Sequence, residues 1–195
     1  VLFRSLMTVT EGTTETFNFS GNSGLDGSNG NVRTFNAGDL SVKASAFSRD
    51  EHGNWDESFL GSFSSGLGVT DDSEGNGSDS LHKVDNVVEK NFVLFEFSDE
   101  VVVDKAFLAS VTNDSDITYW VGNKEDAFTD HNILSDNFLN SLEFTEDNYT
   151  NSSSSRWANI NDGEVSGNVL VIAAAISDHT PEDRFKIKEV KVQQV

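Results

Sequence analysis

Two apolar runs rich in β-branched and aromatic residues, "NFVLFEFS" (91–98) and "VVVDKAFLASV" (101–111), are separated only by Asp99 and Glu100. Parallel neighbours need a crossover of a dozen or more residues, so two such runs side by side pair antiparallel if they pair at all. The spacing predicts a β-hairpin. "DITYWVG" (116–122) follows a short Asn/Asp/Ser turn and extends the expectation to three adjacent strands.

The same period-2 signal recurs along the chain. "TETFNFS" (14–20) and "LSVKASAFS" (40–48) alternate, the second until Phe47 falls out of phase, and the Gly/Asn/Ser stretch 21–31 between them reads as a loop. "NVLVIAAAI" (168–176) reads as a buried central strand. "RFKIKEVKV" (184–192) alternates with lysine and then shifts phase at Val190, which predicts one wet face. Within 130–144, Ile133, Leu134, Phe138 and Leu142 fall near helical spacing and suggest one short helix, and 146–156 is a polar loop. Many short strands, 15 Gly and a single Pro point to an all-β chain, an antiparallel β-sandwich of jelly-roll type with long acidic loops. Residues 1–5 (Val-Leu-Phe-Arg-Ser) match the translated end of a sequencing adapter and read as non-native, leaving 6–195 as one domain.

Charge narrows the function. The chain carries 33 Asp/Glu against 13 Lys/Arg, a net −20, and a field of that sign repels nucleic acid phosphates and anionic lipid. It fits a salty exterior, where repulsion is screened over about 8 Å, and equally a charge that serves solubility alone. With no cysteine there are no disulfides, no thiolate chemistry and no Cys-ligated zinc. No stretch reaches the ~18 consecutive apolar residues of a membrane span.

Residues 66–86, "GLGVTDDSEGNGSDSLHKVDN", hold five Asp/Glu, four Gly and two Asn. Asp71, Asp72, Glu74, Asn76 and Asp79 offer the hard oxygens calcium takes, in a spacing that imitates the start of an EF-hand loop. The imitation fails at Lys83, where a bidentate Glu belongs, so an irregular calcium loop stands beside a merely solvated acidic loop. Asp114 and Asp116 in "TNDSDIT" pose the choice between calcium and an Asx turn, and Asp85-Asn86 poses it again. His52, His82, His131 and His179 lack ligand spacing for zinc, and "GSFSSG" (61–66) does not form a nucleophile elbow. Trp55, Trp120 and Trp157 are the candidate platforms for stacking a sugar ring, with Tyr119 and Trp120 expected on opposite faces of one strand.

Several of these segments, in this order, resemble the exosortase-dependent surface proteins that carry a C-terminal PEP-CTERM sorting signal. The resemblance runs over residues 31–192: "VKASAFSRDEHGNWDESFLG", "GLGVT" and "HKVDN", then "NFVLFEFSDEVVVDKAFLASVTNDSDITYWVG", "SSRWANIN", "GNVLVIAA" and "EDRFKIKEVKV". It implies an exported bacterial ectodomain at the cell surface or in the extracellular matrix, its full-length precursor processed by exosortase. The PEP tripeptide, apolar helix and basic tail of the family do not follow Val195. The family contributes no catalytic residues. The expectation is a noncatalytic structural or adhesion module that folds without a cofactor, with calcium as an optional ion. The alternative is a glycan-binding module for extracellular polysaccharide.

Overall fold

The structure, a computed structural model, describes residues 12–22, 27–75, 82–177 and 180–195; residues 1–5 lie outside them. Its strands are β1 (Thr14–Asn18), β2 (Val32–Ala37), β3 (Leu40–Arg49), β4 (Trp55–Phe63), β5 (Gly66–Thr70), β6 (Val84–Asp85), β7 (Lys90–Asn113), β8 (Ile117–Gly122), β9 (Phe144–Asn148), β10 (Arg156–Asn159), β11 (Ser166–Ala174) and β12 (Asp183–Gln194). Two short helices, α1 (Ala127–Asp130) and α2 (Asp136–Asn140), lie between β8 and β9. All the strands belong to one antiparallel sheet, so the all-β expectation holds. Among the described residues no helix is long and apolar enough to cross a membrane.

The sheet does not form two facing jelly-roll layers. Its path β12-β5-β4-β3-β7 returns to β12 and closes a five-stranded barrel. Straight strands, each antiparallel to the next, cannot close a ring of odd number. Closure here needs a bend in β7 and a β12–β5 contact reduced to one pair, Ile187 with Leu67. Gly66 makes that contact possible: at φ +115°, a Cβ there would lie 2.3 Å from the Ile187 carbonyl oxygen.

The expected hairpin at Asp99-Glu100 is absent, and residues 90–113 run on as a single strand. Residues 90–97 pair with β3, and residues 101–113 pair with β12. Between them the chain bulges. Gly167 of β11 faces Val101 and Val169 faces Glu96, which leaves Asn168 opposite Phe97–Glu100. The physical reason is that tight two-residue hairpins need positive φ at their centre, supplied by Asn-Gly or Asp-Gly, and Asp-Glu does not supply it. No residue from 98 to 101 has positive φ. A wide bulge bends a strand without reversing it. The three-adjacent-strand expectation fails with the hairpin, because β11 lies between β7 and β8.

Residues 146–148, read as loop, instead end β9 and pair with β8, while other readings hold with a local cause. The phase shift in the last strand is a bulge at Lys188, where Ile187 faces Leu108 and Glu189 faces Phe107. Phe47 leaves the alternation because both faces of the sheet are covered there. One core cluster fills the barrel and gathers Phe17, Phe19, Phe95, Phe97 and Tyr119. A second lies on the outer face of β3-β7-β11-β8 and holds Phe47, Phe92, Leu94, Trp120 and Val171 beneath Ala127, Leu134, Leu139 and Leu142 of the helical segment. Tyr119 and Trp120 therefore point to opposite faces as expected, yet both are buried. The short helix is α2, capped by Ser135, whose hydroxyl accepts from the Phe138 N–H at 3.0 Å.

Candidate functional site

The chain is brought together around two acidic junctions and one aromatic concavity. The first junction forms where β7 ends, β8 begins and β12 begins. Asp114 and Asp116 flank the β7–β8 turn, Asp183 opens β12, and one carboxylate oxygen from each lies within 4.8 Å of the others. All three are buried. Asp114 Oδ1 accepts from the N–H groups of Ser115 (2.8 Å) and Ser152 (3.1 Å), and Asp116 Oδ1 accepts from the Thr150 N–H. Asp183 Oδ1 accepts from the Asp116 N–H at 2.7 Å, while its Oδ2 accepts from the Asn86 amide at 2.9 Å. Arg156 supplies nearby positive charge, its guanidinium held by Ser115 and Asn148.

An Asx turn closes on the N–H two residues on, whereas Asp114 Oδ1 takes the N–H of the next residue and Asp116 Oδ1 that of Thr150. The same Asp114 oxygen reaches loop 149–155, and Asp183 arrives from the far end of the chain. Burial pushes the Asp183 carboxyl up to about 7, with the charges of Asp116 and Asp114 adding to it.

The second junction joins the opening acidic loop to β6. Asp71 is buried and accepts from the Asn91 amide at 2.7 Å and from the Ser73 N–H at 2.9 Å. Glu74 Oε2 accepts from the Asp71 N–H at 3.1 Å, and Asp85 Oδ1 accepts from the Val87 N–H at 3.0 Å. Burial, then the charges of Asp85 and Asp71, push Glu74 up to about 9; burial, then Asp71, push Asp85 up to about 7. Asp72 does not join them, since it is exposed and accepts from the Asn29 amide at 3.0 Å. Asn76 and Asp79 lie outside the described residues. Of the described members of that spacing, Asp71 and Glu74 come together and Asp72 turns away from them. Asp71 and Glu74 pair with Asp85 because β6 packs beside them, and Asn86, the next residue, turns to Asp183.

These groups set a pH dependence. Each of the three acids holds its proton more tightly in the folded protein than in the unfolded chain. Their contribution to stability is complete below about pH 4 and is lost as pH rises through about 7 for Asp183 and Asp85 and about 9 for Glu74. In chelator, the melting temperature is expected to fall steadily from about pH 5 to pH 9, for a loss on the order of 2 kcal/mol after allowance for solvent screening. A melting temperature that rises across that window would contradict the burial of these carboxylates.

The three tryptophans do not form one platform. Trp157, on β10, is 39% exposed and packs edge-on against Phe107 at 5.1 Å, with Lys105 Nζ 4.9 Å from its ring centre. Trp55 and Trp120 instead meet across Phe92, with ring centres at 4.6 and 5.8 Å from it, and line a concavity of about 450 Å³. Its rim carries Arg49, Lys90, Asp136 and Asn140. Asp136 accepts from Arg49 Nε and from the Trp55 indole N–H, both at 3.0 Å, which fixes that ring.

Glu96, wholly buried on β7, went unnoticed in the sequence. It accepts from His131 Nδ1 at 2.6 Å, the Asn132 N–H at 2.8 Å and the Asn132 amide at 2.7 Å. A lone carboxylate inside the apolar run "NFVLFEFS" was the available signal, because such a charge is buried only with partners. Asp183 carried no comparable signal, since an acid at a strand end is ordinary, whereas Asp85 was already a candidate and makes an Asx-turn bond, its Oδ1 accepting from the N–H two residues on. Of the histidines, His82 bonds the Thr70 hydroxyl at 2.6 Å, far in role from the His131–Glu96 pair, and His179 lies outside the described residues. Comparison with family models, with curated proteins and with solved structures found no match to this chain.

Proposed function

We propose that this protein is a noncatalytic exported module of the bacterial exterior, with a structural or adhesion role at the cell surface or in the extracellular matrix. The single observation that carries the reading is how Asp114, Asp116 and Asp183 are used. Their oxygens accept backbone N–H groups from Ser115, Ser152, Thr150 and Asp116, an arrangement that ties loops to strand ends and does not present an acid to a substrate. Support also comes from the net charge of −20, suited to a salty medium, and from the ordered resemblance to exosortase-dependent PEP-CTERM proteins. Expressed from its full-length gene, the module should be removed by protease added to intact cells. Signal released only after lysis would overturn the export.

Calcium is the ion this reading assigns to the first junction. Three buried carboxylates beside the Arg156 guanidinium leave an excess of negative charge that protons or a metal cation would offset, and calcium takes hard oxygen ligands of this kind. The ion binds the deprotonated form, so it competes with the proton on Asp183. At about pH 8, calcium at 100 times its Kd should raise stability by about 2.7 kcal/mol over chelator, and Asp183→Asn should abolish most of that gain. Equal melting temperatures in calcium and chelator would remove the ion and leave a purely hydrogen-bonded lock.

A second reading, a glycan-binding module for extracellular polysaccharide, is favoured by one observation: Trp55 and Trp120 share a concavity with polar side chains at its rim. Aromatic faces offer a sugar's C–H surface a partner, and polar groups beside them fix its hydroxyls.

A further inference from the structure

We infer that the concavity walled by Trp55, Phe92 and Trp120 is a binding site for a neutral saccharide chain, with Arg49, Lys90 and Asn140 as its hydroxyl-binding rim. The inference rests on the glycan reading above and narrows it to one place and one ligand class.

Charge decides the class from two sides. The protein's net −20 opposes an anionic ligand at long range. At short range the concavity opposes a cationic one, because Arg49 and Lys90 stand directly opposite each other on β3 and β7. Like charges in that relation destabilise a strand pair. Their placement is the more notable in a chain with so few basic residues, and only Arg49 has a carboxylate partner, Asp136. Lys90 forms no ion pair among the described residues; its ammonium gives one hydrogen bond to the Ile176 carbonyl at 2.9 Å and retains two donors. The side chains of Asn140 and Thr145 make no hydrogen bond within the described residues. Donors from Lys90, both functions of Asn140 and the Asp136 carboxylate thus face one apolar floor. A hydroxyl both donates and accepts, and a pyranose ring presents hydroxyls at its edge and C–H groups on its face.

A chain longer than one sugar is indicated because Arg49 and Lys90 also line an adjoining concavity of about 320 Å³. The exposed Val88 borders that second space with a left-handed backbone, φ 65°, which a β-branched residue adopts only under constraint.

The test is a titration of the ¹⁵N-labelled protein with cellotetraose, maltotetraose and tetragalacturonate, read at the three indole N–H resonances, with the rest of the spectrum reporting the fold. At least one neutral tetrasaccharide should shift Trp55 and Trp120 saturably and leave Trp157 unmoved. Asn140→Ala and Lys90→Gln, both at the rim, should each weaken that binding by about tenfold while the spectrum stays folded. Tetragalacturonate should bind more weakly at low salt. If it binds as tightly as the neutral chains at the same two resonances, the neutral assignment falls and the glycan reading survives. Shifts at Trp157 alone would overturn the site and spare the glycan reading. No shift with any of the three at millimolar concentration would overturn both.

Discussion

Glu96→Ala is expected to destabilise the protein by about 3–5 kcal/mol, the cost typical of removing one partner from a buried charged network. The carboxylate sits on β7 with its side chain 1% exposed and takes three hydrogen bonds from His131 and Asn132. Alanine would leave those donors facing a dry pocket. The loss should be local as well as global, because residues 131 and 132 join α1 to α2 and the same segment places Asp136 and Asn140 at the aromatic concavity. Glu96→Gln keeps one acceptor oxygen and should cost about half as much. Chemical denaturation measures the first effect, and amide exchange over 127–142 the second. A cost under about 1 kcal/mol for alanine would mean that Ala127, Leu134, Leu139 and Leu142 hold the helices down through apolar contact alone.

Phe95→Ala, one residue earlier on the opposite face of β7, should cost a similar 3–5 kcal/mol for a different reason. Phe95 is fully buried in the barrel, its ring centre 5.3 Å from that of Phe19, and its cross-strand neighbours are Ala44 and Leu170. Ala44 is too small to collapse into the space left behind, so most of the cavity would persist. The denaturation midpoint should drop with an unchanged slope, and Phe95→Leu should recover more than half of the loss. Trp157→Ala, whose ring is 39% exposed, should cost only about 1 kcal/mol and serves as the contrast. If Phe95→Ala matched it, the barrel interior would not be the main core.

Together the two substitutions describe how β7 works. It is the strand on which the barrel and the helix-covered face both rest, with Phe95 turned into one and Glu96 into the other. The aromatic concavity lies at the start of this strand, and the first acidic junction lies just past its end. Loss of the central anchor should therefore be felt at both.

What could be read along the chain was whatever depends on neighbours in sequence. The alternation of "LSVKASAFS" and "RFKIKEVKV", the short helix near Phe138 and the acidic turns at 71–74 and 114–116 all appear where residue order placed them. These are local properties, since side-chain direction repeats every two residues in a strand and every 3.6 in a helix. Pairing is not local. The 91–111 stretch had the composition of two strands but no positive-φ residue at 98–101 to turn it back, so it ran on to join β3 to β12 and close a barrel. The β7–β12 pairing brought Asp183 to Asp114 and Asp116, the pairing of β6 with β12 brought Asp85 to Glu74, and the order β4-β3-β7-β11-β8 brought Trp55 to Trp120. The residue types at each site were visible from the start; which of them meet was decided by contacts between separate strands, where the energy of burial, and not the spacing of letters, selects the partner.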